Sequence, residues 1–276
     1  MFFKELYDYR YLLREIVAKN IKIQYRNSVL GVVWTLLQPL LTTLVLVFVF
    51  GTVFGRDASE HPEVIVNFPI YLLCGRLLFD FYSQSTKRAM RSITGSASVI
   101  KKVKVPKFIY PLANVISNFV TFMISMVVLV GFVIFFFVVN SPDNPPPVLS
   151  RYLWLMPIPL LILFLLCMGV GLIISTMAVF FKDVEYLYDV FCMLLFFATP
   201  IIWVPEVARV QYRPTMQLML HINPLYSIIE MFRNAVLRGQ PIHLPHLYYA
   251  LGISLALLLI GVWMFKKQQD KFILHI

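Results

Sequence analysis

From residue 31 onward the chain is a succession of long apolar runs separated by short polar segments. Uninterrupted runs of about 18 residues or more are the signature of helices that cross a bilayer. In lipid, every backbone N–H and C=O must be satisfied within the protein, which leaves helices or a closed barrel. A barrel strand alternates apolar and polar positions, and these runs do not, so the barrel is excluded. The pattern predicts an all-α polytopic membrane protein with six spans, near residues 31–54, 68–90, 110–139, 153–181, 186–204 and 247–265. At about 1.5 Å per residue the third exceeds a ~30 Å hydrocarbon core and is expected to tilt or project.

Two stretches depart from this pattern. In residues 5–26, "ELYDYRYLLREIVAKNIKIQYR", the side chains of Tyr9, Leu12, Leu13, Ile16, Val17 and Ile23 gather on one helical face. Arg10, Arg14, Glu15, Lys22 and Arg26 take the other. That is an amphipathic helix lying in the membrane interface, so residues 1–30 are set apart from a transmembrane domain at 31–276. Residues 205–240, broken by Pro205, Pro214 and Pro224, are too polar to span. They are expected to form re-entrant short helices before the last span.

Charge gives the orientation. The side holding the N-terminus, the segment after span two, the turn after span four and the C-terminal tail carries 17 Lys and Arg. The opposite side carries six: Arg56, Arg151, Arg209, Arg213, Arg233 and Arg238. Positive charge accumulates in the cytoplasm, so both termini are expected there, which six spans permit. The net charge of +10 is therefore read as topology rather than as affinity for nucleic acid. With 59% hydrophobic and 14% charged residues, the chain lies well below the ~25% charged of a soluble domain. Cys74, Cys167 and Cys192 fall inside apolar runs at no metal-ligand spacing and read as small buried hydrophobes. No cleavable signal peptide is expected, and the first span is read as an uncleaved insertion signal.

Catalytic motifs are wanting. No glycine is followed by lysine, so the phosphate-cradling G-x-x-x-x-G-K-[ST] loop is missing, as are H-E-x-x-H, paired cysteines and G-x-S-x-G. His243 and His246 read as interfacial residues rather than metal ligands. Energy for any work must then come from a partner or a gradient. A gradient-driven carrier needs ionisable groups at depth, for which Arg76 and Asp80, at i and i+4 in span two, are the candidates; a structural ion pair is the plainer reading. The charges of "VFFKDVEYLYDVF", residues 179–191, fall on a tight cytoplasmic turn between spans four and five, with Asp189 one turn into span five. As acids at the interface, Asp183, Glu185 and Asp189 also admit a membrane enzyme acting on lipid-linked sugars. The segment "SITGSASVIKKVKVPKFIYPL" reads equally as a polybasic patch on anionic lipid or as a short docking helix for a cytoplasmic protein.

Four stretches, taken in order, resemble the permease subunits of type 2 ABC exporters of polysaccharides and teichoic acids. They are "YRNSVLGVVWTLLQPLL" (25–41), "KKVKVPKFIYPL" (101–112), "FFKDVEYLYDVFCMLLFFATPIIW" (180–203) and "INPLYSIIEMFRNAVLRG" (222–239). Together they cover nearly the whole chain. The resemblance implies a homodimer in the bacterial cytoplasmic membrane, joined to two copies of a separate ATPase. ATP and Mg²⁺ would be held by that partner and no cofactor by this chain. The substrate would be a glycan or teichoic acid linked through pyrophosphate to a polyprenyl lipid, moved through a channel between two permeases.

The resemblance also implies roles for particular residues. The region 93–104 occupies the place of a coupling helix on the ATPase, which points to Ser96, Val99, Ile100, Lys101, Lys102 and Lys104, with Asp183 and Glu185 nearby. Lys19, Lys22 and Arg26 of the interface helix could meet the lipid pyrophosphate at a cytoplasmic gate, or simply anchor in headgroups. Sugar C–H faces stack on aromatic rings, which makes Tyr71, Phe79, Phe81 and Tyr82 of span two, and Phe196, Phe197 and Trp203 of span five, candidates for channel lining. The outer arginines are candidates for contact with anionic polymer or outer headgroups.

Overall fold

The structure, a computed structural model, describes residues 5, 7–26, 30–53, 67–103, 105–139, 146–148, 150–205 and 213–274. Every regular element among them is helical. In chain order these are α1 (Arg10–Tyr25), α2 (Val33–Val47, continued by a π turn Phe48–Val53), α3 (Phe68–Met90), and the short α4 (Ser92–Gly95) and α5 (Ala97–Ile100). The long α6 (Ile109–Val139) leads through a 3₁₀ turn (Arg151–Leu155) to α7 (Pro157–Phe180) and then α8 (Val184–Ala198). After these come α9 (Pro214–Ile222), α10 (Pro224–Arg233, with a π turn Asn234–Arg238) and α11 (Leu244–Gln268), closed by a 3₁₀ turn Gln269–Leu274.

Helix starts follow local chemistry. Asn67 caps α3 by accepting the N–H of Ile70 at 3.1 Å, and Pro69 follows in the first turn, where its missing N–H costs nothing. Asn223 and Pro224 repeat this at α10, with the Leu225 N–H donating to the Asn223 side chain at 3.0 Å. Inside α2, Pro39 has no N–H to give to the carbonyl of Thr35. The hydroxyl of Ser125 on α6 supplies that bond instead, at 3.1 Å, so the defect in one helix is repaired by its neighbour.

Among the described residues, four stretches are long and apolar enough to cross a membrane: Val33–Phe50, Ile109–Val139, Arg151–Phe180 and Leu244–Leu274. The other two expected spans fall short for different reasons. α3 carries Arg76, Asp80, Lys87 and Arg88, yet it is the most enclosed helix, packed on α2, α6, α7, α8 and α10, with Ile70 to Cys74 fully buried. Neighbouring helices supply its apolar surroundings and lipid need not. α8 has 15 residues, about 22 Å of helix against a ~30 Å core.

α7 and α11 make the most extensive helix pair. Their backbones meet at two glycines: a Cβ on Gly169 would lie 2.6 Å from the Leu258 nitrogen, and one on Gly261 2.7 Å from the Gly169 carbonyl. In a bilayer, where lipid is as apolar as leucine, close backbone approach of this kind is what favours one helix pairing over another. The three cysteines are free and buried, as expected of small core residues.

A second apolar cluster forms at the cytoplasmic end in the orientation expected above. Ile93, Ile100, Phe108, Ile109, Phe265 and Phe272 meet there, and Tyr9, Leu12, Leu13 and Ile16 of α1 pack on them. The predicted apolar face of α1 thus has a protein partner. Ile23, assigned to that face, is instead exposed, because α1 runs past the cluster before reaching it.

Candidate functional site

Residues 92–100 fold as two one-turn helices, α4 and α5, broken at Ser96, whose carbonyl accepts the N–H groups of Val99 and Ile100 at 3.0 Å. Ile93 and Ile100 point into the cytoplasmic cluster and fasten the segment. Val99, Lys101, Lys102 and Val103 are left exposed, an apolar and cationic surface held on a buried base. Lys104 lies outside the described residues. Just beyond, Lys107 donates to the Gln269 carbonyl and lies 5.8 Å from the Phe272 ring, joining this segment to the C-terminal turn. Burial lowers the pKa of the Lys107 ammonium, against the weaker opposite pull of Asp270.

The acidic turn between α7 and α8 faces the basic end of α3. Asp189 lies 2.8 Å from the Lys87 ammonium and 3.8 Å from Arg91, and Arg91 donates to Glu185 at 3.0 Å. This cluster ties the start of α8 to Arg91, the residue just before α4. Among the described residues Glu185 and Asp189 thus pair with α3 and not with α1. Asp183 is exposed, and its carboxylate has no ionic partner among the described residues.

Lys19, Lys22 and Arg26 all lie exposed on α1, without ionic partners among the described residues. The polar contact of α1 with α3 is made by an uncharged neighbour: Gln24 accepts from Arg88 at 2.8 Å. The aromatic candidates divide. Tyr71, Phe79, Phe81 and Tyr82 are buried among the chain's own helices. Phe196 and Trp203 are half-buried and Phe197 is exposed. Phe79 and Phe196 meet edge to face at 5.2 Å, and Arg76, bound to Asp80 at 2.8 Å, lies 5.5 Å from the Phe196 ring.

Sequence reasoning placed Arg233 and Arg238 among outward-facing cations. The structure corrects this for both. Arg238 is paired with Glu230 and donates to Asn234 at 2.9 Å. Arg233 is fully buried and donates to the carbonyls of Tyr71 (3.0 and 3.2 Å), Pro200 (2.7 Å) and Ile201 (3.4 Å). The chain leaves helical geometry at Thr199, so the Pro200 and Ile201 carbonyls have no helical partner, and the guanidinium is the fork that satisfies them. Arg213 is exposed, and Arg209 lies outside the described residues.

A line of buried polar contacts between helices was also missed. Asn118 donates to Ser85 at 2.8 Å, Tyr188 to Thr86 at 2.8 Å, and Asn223 to Thr199 at 2.8 Å. A signal existed: Asn114, Ser117, Asn118, Thr121 and Ser125 share one face of α6 at helical spacing. Such side chains join helices where no water competes, at about 0.6 kcal/mol or more each.

A bundle of long apolar helices, four of them long and apolar enough to cross a bilayer among the described residues, defines a multi-pass membrane protein. The ABC-2 type transporter family profile matches residues 11–237, and the chain belongs to that family. ATP hydrolysis resides in another protein there. The chain is 28% identical over 265 residues to the O-antigen export system permease protein RfbA of Klebsiella pneumoniae, covering 95% of this chain and 93% of that protein. It is 26% identical over 269 residues to RfbA of Myxococcus xanthus, covering 98% and 96%. To the polysialic acid transport protein KpsM of Escherichia coli it is 22% identical over 255 residues, 92% of each.

Proposed function

We propose that this chain is the permease of an ATP-driven exporter that moves a cell-envelope polysaccharide outward across the cytoplasmic membrane. The observation that carries this is the end-to-end likeness to permeases named for O-antigen export, reaching 95% of this chain. Permeases named for polysialic acid transport and capsule polysaccharide export are also similar over nearly their full length. These names favour a polysaccharide over teichoic acid as cargo. The cargo is held on a polyprenyl pyrophosphate.

In this reading two copies of the chain form the channel and two ATPase copies dock below. Both termini face the cytoplasm, six segments cross the bilayer, and α9 and α10 dip into it from outside. The exposed Val99, Lys101 and Lys102 supply the ATPase contact. Lys19, Lys22 and Arg26 face arriving pyrophosphate, for which their exposed cationic side chains are suited. Phe196, Phe197 and Trp203 are the aromatics left accessible for a channel once the four on α3 are buried.

The test is co-expression with the ATPase encoded beside it. The two chains should co-purify, and deleting either gene should trap the lipid-linked polysaccharide inside the cell. Replacing Lys101 and Lys102 with Glu should weaken the complex. Surface display of the polymer in the permease-deletion strain would overturn the reading.

A further inference from the structure

Between α1, α2, α3 and α6 lies a cleft of about 120 Å³. Gln24 and Arg88 stand at one end, and Asp80 lies eight residues back along α3, about 12 Å deeper. Part of its wall is aromatic, from Phe81 and Phe122, which stack with centroids 4.7 Å apart. Apart from Pro39 and Leu77 the rest is polar, and its hydrogen-bonding capacity is biased.

Thr35, Thr121 and Ser125 are buried hydroxyls that already donate to backbone carbonyls: Thr35 to Val32 at 2.5 Å, Thr121 to Ser117 at 3.2 Å and Ser125 to Thr35 at 3.1 Å. With their protons committed, they can offer a ligand only oxygen lone pairs. Asp80 adds a carboxylate to that side. Donors come from the exposed amides of Gln38 and Gln84, and from the Arg88 guanidinium, which commits one N–H to Gln24.

An acyl chain would leave the Gln38 and Gln84 amides unpaired. A free anion would find one guanidinium, Arg88, at one end, and elsewhere hydroxyl oxygens with no proton to give and the Asp80 carboxylate that Arg76 already holds at 2.8 Å. A neutral sugar ring meets every requirement: its hydroxyls donate to Thr35, Thr121 and Ser125, accept from Gln38 and Gln84, and its C–H face lies on an aromatic ring. At ~10–15 Å³ of such space per water, the cleft holds several waters, comparable with one ring of about a dozen heavy atoms. The mouth also argues against lipid, since an amide left unpaired in hydrocarbon costs several kcal/mol.

We propose that this cleft is a carbohydrate subsite, taking one neutral sugar residue of the polymer on the cytoplasmic side of the permease. The proposal rests on the exporter reading for its cargo, but the binding itself is measurable without transport.

The experiment uses the purified permease–ATPase complex and saturation-transfer NMR with glucose, galactose, mannose and rhamnose at millimolar concentration. At least one sugar should receive magnetisation. Gln38→Leu and the near-isosteric Thr121→Val should each weaken its binding about five-fold, as expected for one lost hydrogen bond. Trp154→Ala, at an exposed position in the 3₁₀ turn before α7, should leave it unchanged. Gel filtration of each variant with the ATPase checks that the fold survives. No transfer to any of the four sugars, or transfer equal in wild type and in the Gln38→Leu/Thr121→Val double variant, overturns the subsite. If wild type exports polymer yet binds no sugar here, the subsite fails and the exporter reading stands. If sugar binding depends on Gln38 and Thr121 in a complex that exports no polysaccharide, the subsite holds and the exporter reading fails.

Discussion

The guanidinium of Arg233 lies 3.4 Å from the centre of the Tyr71 ring and donates twice to the same residue's carbonyl. The Tyr71 hydroxyl in turn reaches the carbonyls of Pro200 at 3.2 Å and Trp203 at 3.1 Å. Three elements are fastened at this point: α10, the buried α3 and the break that ends α8. No carboxylate pairs with Arg233 among the described residues. Its charge is spread instead over carbonyl dipoles, partly at the negative end of α8.

Arg233→Leu should lower the stability of the permease by about 3 kcal/mol or more, because several buried carbonyls lose their donor together. Arg233→Lys keeps the charge but not the planar fork and should recover only part of the loss. Thermal unfolding of the purified complex measures both. A Tm for Arg233→Leu equal to wild type would refute the clasp.

Gly75 lies under this clasp. A Cβ there would come within 2.5 Å of an Arg233 terminal nitrogen, a group held in place by its carbonyl partners. Gly75→Ala should therefore destabilise the wild type, and cost much less in the Arg233→Leu background, where that clash is gone. Strict additivity of the two substitutions would show that they do not interact.

The Arg91–Glu185 pair should matter more for coupling than for stability. Partly exposed ion pairs contribute about 0–1 kcal/mol, so Arg91→Glu should shift Tm little. It should separate ATP hydrolysis from polymer export by loosening α8 from the coupling segment. The swapped pair Arg91→Glu/Glu185→Arg should restore export. Normal export by the single variant would count against the clamp.

The repaired helix defect offers a double-variant test. Ser125→Ala should cost about 1 kcal/mol by orphaning the Thr35 carbonyl. Pro39→Ala restores an N–H within α2 for that carbonyl, so Ser125→Ala should cost less in its presence. An equal cost in both backgrounds would mean that the Ser125 hydroxyl bond to Thr35 adds nothing.

Much of the helical layout could be read from local chemistry. The limits 68–90 coincide with α3, whose start is marked locally by Asn67 and Pro69. The amphipathic α1 and the proline-marked α9 and α10 were legible for the same reason. Where Gly95 and the nearby serines suggest a turn before one short helix, the chain forms two one-turn helices, α4 and α5.

Other features depended on partners far away in the chain. Arg233 satisfies carbonyls from residues 71, 200 and 201, and only packing brings these together. A count of positive charges treats such a buried arginine as a topological signal, which it is not. Tyr71, Phe79, Phe81 and Tyr82 were legible as apolar, but not as buried. Lipid and protein interior are equally apolar, so hydropathy identifies a membrane helix without saying which face meets its neighbours. Local sequence therefore determined where helices begin, end and carry charge. The tertiary structure alone decided which polar groups satisfy one another and which aromatics stay open, because those depend on contacts between distant segments.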